Sequence, residues 1–266
     1  MEGQEELHKK YNPDGSDLRR MQMRMLDMLK EVDRICKKYD IPYWLSGGTL
    51  LGSVRHGGFI PWDDDLDIEL MEDDFQRFIE VALLDFPSNL AIQTHSTDKG
   101  YYFTYAKVRD LQSFLVEDGT SDRDFKYKGI YIDVFPMANT SPFLLKISEY
   151  WHWYCVLKPS FLSTSNVILR KVCHLMYCLS NKIYLLFRCI DRKKKNQNIN
   201  YGYGCQFTLN CPSSVIFPLT KIEFENYLFS APNNPDLYLK KIYGDYLKLP
   251  DEQDRKTHIS HIAFNN

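Results

Sequence analysis

The residues with the most chemistry in them are Asp65 and Asp67, set in Asp65-Leu66-Asp67-Ile68. Side chains two apart on a strand share a face, so both carboxylates project together while Leu66 and Ile68 anchor the other side. Two anions held that close repel and raise each other's pKa unless a cation joins them. Oxygen ligands suit Mg2+, with Mn2+ as the substitute. A second alternating stretch, Gly129 to Phe135, carries Asp133 between Ile132 and Val134. If those two face the core, Asp133 turns away from it, toward the same metal position. Upstream, Leu45-Ser46-Gly47-Gly48-Thr49 spans a strand-to-helix junction. Glycines let backbone N–H groups approach a phosphate, and a helix N-terminus favours the anion. Phosphate cradle, paired carboxylates and a third carboxylate make a kit for metal-dependent phosphoryl transfer. Each part alone has an ordinary use: a Gly-Gly turn, a solvated acidic loop at Asp63 and Asp64, a polar strand end. Their order and local context join them into one hypothesis.

The block Tyr43-Trp44-Leu45-Ser46-Gly47-Gly48-Thr49-Leu50-Leu51-Gly52-Ser53-Val54-Arg55-His56, followed by Phe59-Ile60-Pro61-Trp62-Asp63-Asp64-Asp65-Leu66-Asp67-Ile68, resembles the LicD family signature. That family is similar to the domains of fukutin and fukutin-related protein and sits in the nucleotidyltransferase superfamily. Further matches are Ala106-Lys107-Val108-Arg109-Asp110, Gly129 to Pro136, and Tyr243-Gly244-Asp245-Tyr246 with Pro250, Arg255 and His258. The resemblance runs from about Met21 to Ile262 and is weak between Pro142 and Cys211. Sixteen residues separate Gly48 from Asp65, a longer loop than in ordinary polymerases of the superfamily.

The resemblance implies transfer of a phospho-alcohol, phosphocholine or a relative such as ribitol phosphate, from a CDP-activated donor to a glycan hydroxyl, releasing CMP. The acceptor would be a cell-surface glycan or its lipid-linked precursor, as in lipopolysaccharide or teichoic acid. Asp65 and Asp67 are expected to bind Mg2+; Asp133 either completes the metal shell or is the base on the acceptor hydroxyl. Gly47, Gly48 and Thr49 are expected at phosphate, Arg55 at pyrophosphate. Lys107 and Arg109 alternate on one strand, which puts both on one face and in reach of phosphate. Arg255 and His258 are placed at the phosphates by their family-like context. Trp62, Tyr101, Tyr102, Phe103 and Tyr105 are candidates for an aromatic box around a quaternary ammonium. Two rivals stay open: a nucleotidyltransferase that releases pyrophosphate, and a non-catalytic member that binds a glycan or partner.

Strands in the first half and helices in the second suggest an α+β fold, and the resemblance implies a nucleotidyltransferase-like mixed sheet flanked by helices, with a helical C-terminal region. Residues 21–138 are expected to form the catalytic core and 139–266 a helical and mixed part that completes the pocket. A helix is predicted from about Ser16 to Tyr39, capped by Ser16 and buried through Met21, Met25, Met28, Leu29, Val32 and Ile35. The methionines suit a flexible core face. A short strand at Tyr43 to Leu45, a helix from Leu50 to Arg55, a strand after Asp65 and a helix from Asp73 to Leu84 follow. Tyr101 to Arg109 and Gln112 to Glu117 read as a hairpin or neighbouring strands. Gly129 to Phe135 reads as a strand stopped by Pro136. Val215 to Phe229 reads as two strands around Pro218, and Asn234 caps a helix that Gly244 ends.

Composition fits a globular chain. Of 266 residues 44% are hydrophobic, enough for a core, and 25 are Gly or Pro, too few for a disordered chain. A net charge of −2 argues against a nucleic-acid partner. Seven cysteines without a CxxC pair, and a charged N-terminus, point to reduced thiols and a cytoplasmic protein. Cys173, His174 and Cys178 match no standard zinc spacing. No uncharged apolar run reaches the ~18 residues of a membrane span. From Trp151 to Asn200, however, nine Lys or Arg face a single acid, Asp191. On helix 166–195, Arg170, Lys171, His174, Lys182, Arg188 and Lys193 fall within an arc of about 140°. Apolar residues fill most of the rest, and Trp151, Trp153 and Tyr154 lie just upstream. Such a helix suits an anionic membrane surface, and thus peripheral contact with the inner face of the plasma membrane.

Overall fold

The computed structural model describes residues 3–117, 125–162, 166–191, 198–255, 257 and 259–264. The N-terminal half runs α1 (Gln4–Tyr11), α2 (Asp17–Lys38), β1 (Trp44–Leu45), α3 (Gly47–His56), β2 (Asp67–Met71), α4 (Glu72–Asp85), β3 (Leu90–Gln93), β4 (Ala106–Asp110), β5 (Ser113–Glu117) and β6 (Tyr131–Ala138). Then come α5 (Pro142–His152), a π turn (Trp153–Leu157), α6 (Lys158–Phe161), α7 (Val167–Asp191), β7 (Asn198–Tyr201), β8 (Cys211–Pro212) and α8 (Ser213–Ile216). The chain closes with β9 (Thr220–Phe224), β10 (Tyr227–Ala231), α9 (Pro235–Tyr243), a 3-10 turn (Glu252–Asp254) and β11 (Ile259–Phe264).

The central sheet has the order β1-β2-β6-β4-β3, with β7 and β8 continuing from β6. The pair β2–β6 is parallel and the other pairs are antiparallel. The mixed sheet with flanking helices is the α+β architecture expected. Residues beyond 138 are woven into it, because β7 pairs with Met137 and Ala138. Leu66, Ile68, Leu70, Ile132 and Val134 form the sheet's apolar face in the core.

Local signals explain most elements. Ser16 accepts the Arg19 N–H at 3.2 Å and caps α2, whose buried stripe of Met21, Met25, Met28, Leu29, Val32 and Ile35 packs into the core. Asn234 accepts the Leu237 N–H at 3.0 Å and caps α9. Four expectations change. Helix α3 begins at Gly47, so the glycines form its first turn rather than a loop before it. Strand β6 runs through Pro136. Asp133 points its N–H at β2, donating to the Leu66 carbonyl, so by alternation Pro136 faces the other side, where β4 has ended its pairing at Val134. Strands β4 and β5 do not pair with each other; β5 takes β11 from the far end of the chain. Around Pro218, the stretch expected as two strands is helix α8 and the hairpin β9–β10.

One buried amide organises the loop between α3 and β2. Gln22, on the apolar face of α2, is fully buried and donates to the Asp63 carbonyl at 2.9 Å and the Ile60 carbonyl at 3.3 Å. Its own oxygen accepts from Asn12 at 2.7 Å. Glu225, in the β9–β10 turn, takes a bidentate pair from Arg19 (2.9 and 2.7 Å) and the Phe59 N–H at 3.1 Å. Gln22→Leu keeps the volume and strands these buried partners, so a stability loss of about 1–3 kcal/mol is expected in urea unfolding.

Candidate functional site

The parallel β2–β6 ladder sets Asp67 directly opposite Asp133. Two stretches far apart in sequence thus bring carboxylates to the same level of one sheet face. The Asp67 N–H donates to the Thr49 hydroxyl at 2.8 Å, and the Ser46 N–H donates to the Asp67 carbonyl at 3.2 Å. These bonds pin the start of α3 against the start of β2. Gly47 has φ +51°, and a Cβ there would lie 2.5 Å from Asp67 Oδ2. A Cβ on Gly48 would lie 2.6 Å from Asp63 Oδ2. The glycine turn therefore rests on two carboxylates, leaving no room for side chains.

The electrostatics are those of crowded anions. Burial, then repulsion from Asp65, Asp133 and Asp63, pushes the Asp67 carboxyl well above its ordinary range. Burial, then Asp65 and Asp64, does the same to Asp63, against the pull of Arg55. Further along β2, burial raises Glu69 to about 7, although Tyr238, Tyr201 and Trp44 favour its charged form. Tyr238 and Trp44 donate to it at 2.7 Å. Lys107 is the internal counter-charge: its Nζ lies 3.2 and 3.4 Å from the two Asp133 oxygens and 3.2 Å from the Tyr131 ring centroid.

A hard divalent cation fits this donor set in kind. Asp63, Asp65, Asp67 and Asp133 supply only oxygens, and their mutual repulsion is the condition that a cation relieves. Among the described residues, no three Asp, Glu, His or Cys side chains converge closely enough to hold an ion as they stand.

The other expected residues divide. Gly47 and Gly48 line the carboxylates. The hydroxyl oxygen of Thr49 is engaged by the Asp67 N–H, so Thr49 braces the turn. Arg55 donates to the Tyr246 carbonyl at 3.0 Å and borders a cavity of about 460 Å³ shared with Gly48, Trp62, Asp63, Tyr243 and Lys248. Arg255 donates to the Pro250 carbonyl at 3.0 Å and stacks 4.9 Å from the Trp62 ring, at the same end of the molecule. His258 lies outside the described residues. Arg109 corrects the sequence reading: it is 1% exposed, and its guanidinium donates to Gln93 at 2.7 Å and the Gly129 carbonyl at 2.8 Å. Strand alternation put it on the face of Lys107, but depth in the sheet gives it a structural task. Asp64 is also structural, accepting the Ile259 N–H at 2.8 Å.

Asp63 and Tyr243 were not singled out by sequence reasoning. Tyr243 is raised by burial and then by Asp67, Asp63 and Asp65, which places it beside the carboxylates. The acidic run and the Tyr243-Gly244-Asp245-Tyr246 block were the signals for them. Of the expected aromatic box, Tyr101 and Tyr102 are core residues. Phe103 and Tyr105 instead open a chain of rings: Tyr105–Phe135 at 4.8 Å, Phe135–Tyr201 at 5.5 Å and Phe135–Phe207 at 5.5 Å. Phe135 is two residues beyond Asp133, hence on the same face.

Residues 40–163 match the family model described as LicD/FKTN/FKRP, nucleotidyltransferase domain. The chain is 28% identical over 263 residues to the lipopolysaccharide cholinephosphotransferase LicD of Haemophilus influenzae, covering 93% of this chain and 97% of that protein. It is 28% identical over 131 residues to mannosyltransferase regulator 4 of Saccharomyces cerevisiae, 47% of this chain and 11% of that one. It is 53% identical over 34 residues to the human ribitol 5-phosphate transferase FKRP, 13% of this chain and 7% of that one.

Asp67 tests the electrostatics. A carboxyl raised by folding adds stability at low pH and loses it as pH rises through its folded value. The metal-free protein is therefore expected to weaken from about pH 4 upward. Asp67→Asn should be more stable than the parent at pH 7.5, with the gap closing toward pH 4. Thermal unfolding in chelator across this pH range checks both statements.

Proposed function

We propose that the chain is a LicD-like phosphotransferase that moves a phospho-alcohol from a CDP-activated donor to a hydroxyl of a cell-surface glycan, releasing CMP. The observation that carries this reading is the register of Asp67 against Asp133 on a face closed by the glycine turn. Asp65 and Asp67, with Asp63 beside them, would hold Mg2+ or Mn2+. The bound ion would neutralise charge on the donor pyrophosphate and the transferred phosphoryl group. Arg55 and Lys248, at the rim of the neighbouring cavity, suit the donor phosphates, and Tyr243 and Trp62 suit its base. Asp133 is oriented by Lys107, so it is placed to take the proton of the incoming hydroxyl. The rings of Tyr105, Phe135 and Phe207 suit a cationic alcohol such as choline.

The acceptor side of the reading involves α7. Among the described residues no helix is long and apolar enough to cross a membrane. Yet α7 turns Ile168 (75% exposed), Leu175 (66%) and Leu186 (64%) outward, beside exposed Lys171 and Lys182. Inward it buries Cys173, Ser180, Tyr184 and Asp191. Two parts of the sequence reading change. Arg188 leaves the basic arc to ion-pair with Glu72, and the outward face is more apolar than basic. Lys193 and residues 192–195 lie outside the described residues. Apolar side chains flanked by lysines fit an anionic bilayer, where a lipid-linked glycan at the inner face of the plasma membrane would be presented.

Two experiments test this. Incubation with a panel of CDP-alcohols, Mg2+ and glycan acceptors should yield CMP with at least one donor. Asp65→Asn and Asp67→Asn should each lower turnover by about a hundredfold or more while circular dichroism stays unchanged. Pyrophosphate in place of CMP would establish nucleotidyl transfer instead. Separately, the protein should sediment with anionic vesicles at low salt and less so at high salt. Leu175→Asp should abolish that binding without changing turnover on a soluble acceptor; binding unaffected by this change would dismiss the α7 face.

A further inference from the structure

A second cluster of chemical groups lies away from the carboxylates, between α7 and the segment after β3. His95 Nδ1 lies 3.2 Å from the Tyr101 carbonyl, and His95 Nε2 lies 2.9 Å from His174 Nδ1. His174 Nε2 in turn lies 3.7 Å from the Sγ of Cys178, one helical turn on. The two imidazoles stack with centroids 5.1 Å apart, and Tyr177 packs on His95 at 4.3 Å.

These contacts determine where the protons sit. A carbonyl only accepts, so His95 Nδ1 carries a hydrogen. Burial lowers His95 to about 4, against the pull of the Tyr101 carbonyl, and keeps it neutral at physiological pH. Its Nε2 then accepts, and His174 Nδ1–H donates to it. That leaves the lone pair of His174 Nε2 directed at the Cys178 thiol. A nucleophile, a base and a third group orienting the base is the arrangement that activates side chains for attack. Cys178 is exposed, whereas Cys173, five residues earlier, is buried in the core.

We propose that His95, His174 and Cys178 form a proton relay that makes Cys178 a modification site for low-molecular-weight disulfides. In the reaction, Cys178 passes its proton to His174 Nε2 as its sulfur attacks one sulfur of R–S–S–R. The new bond is Cys178–S–S–R; the old S–S bond breaks, and the departing thiolate takes the proton and leaves as R–SH. The Cys178 sulfur is oxidised and one R–S group is reduced. His174 acts as base, and His95 is a positioning residue that fixes its tautomer.

The protein contains its own control. Cys189 is exposed on the same helix. The intact protein is exposed briefly to oxidised glutathione at pH 7, and mixed disulfides at both positions are quantified by peptide mass spectrometry. Cys178 is expected to react at least about tenfold faster than Cys189, the lower end of a positioned base's contribution. In His174→Gln, the Cys178 rate should fall to that of Cys189, and the Cys189 rate should stay as in the parent, reporting an intact fold. His95→Gln should lower the Cys178 rate part of the way. Equal rates at the two cysteines in the parent, or an unchanged Cys178 rate in His174→Gln, overturns the proposal.

Discussion

The structure depends on holding like charges together. Two unit charges 4 Å apart interact by about 4 kcal/mol at the effective dielectric of a protein site near solvent. No local preference of the chain gathers Asp63, Asp65, Asp67 and Asp133 against such a force. What gathers them is the parallel ladder of β2 and β6, whose apolar partners Leu66, Ile68, Ile132 and Val134 are wholly buried on the opposite face. Burying those side chains is worth roughly 1.5–3 kcal/mol each, which offsets the repulsion on the polar side. The same alternation that exposes the carboxylates to one another thus supplies the energy that keeps them there.

Around that ladder, polar groups inside the protein serve as struts. Thr49 and Ser46 bind the backbone of Asp67, which places α3 against the carboxylates. Gln22 holds the carbonyls of the loop that carries Asp63, and Glu225, gripped by Arg19, holds the Phe59 N–H of the same loop. Burial raises Glu225, but the paired Arg19 more than reverses this and leaves it below its ordinary value. Each strut comes from a different part of the chain, so the site is preorganised by tertiary contacts rather than by a single motif.

The local parts of this design were legible in the sequence. The Ser16 cap and the methionine stripe of α2 belong to one helix, and Asp65-Leu66-Asp67-Ile68 shows its two faces directly. The pairing of β2 with β6 was not written in any spacing, because a parallel partner is chosen by the whole sheet. For the same reason β5 carried a clear strand pattern with no hint that β11 would complete it. Lys107 and Arg109 mark the limit of period-two reasoning. Alternation gives both the same face, but not how deep each lies along the strand. Pro136 misled in the opposite way: its missing N–H falls past the end of the β4 pairing at Val134, at the junction where the Gly202 N–H donates to its carbonyl and β7 takes up the pairing at Met137.

Lys107 links the stability of the site to its chemistry. It neutralises Asp133 within the resting protein, so one of the two facing carboxylates is already compensated while Asp67 is not. Asp67 has no cation among the causes of its shift, whereas Arg55 draws Asp63 part of the way down. Asp133 keeps a partner that holds its carboxylate in one orientation. Under the proposed reading, this asymmetry is what distinguishes two carboxylates that strand register alone leaves equal. Asp67, with Asp65 beside it, would then suit a metal, and the lysine-bound carboxylate on β6 would suit a base whose direction must not drift.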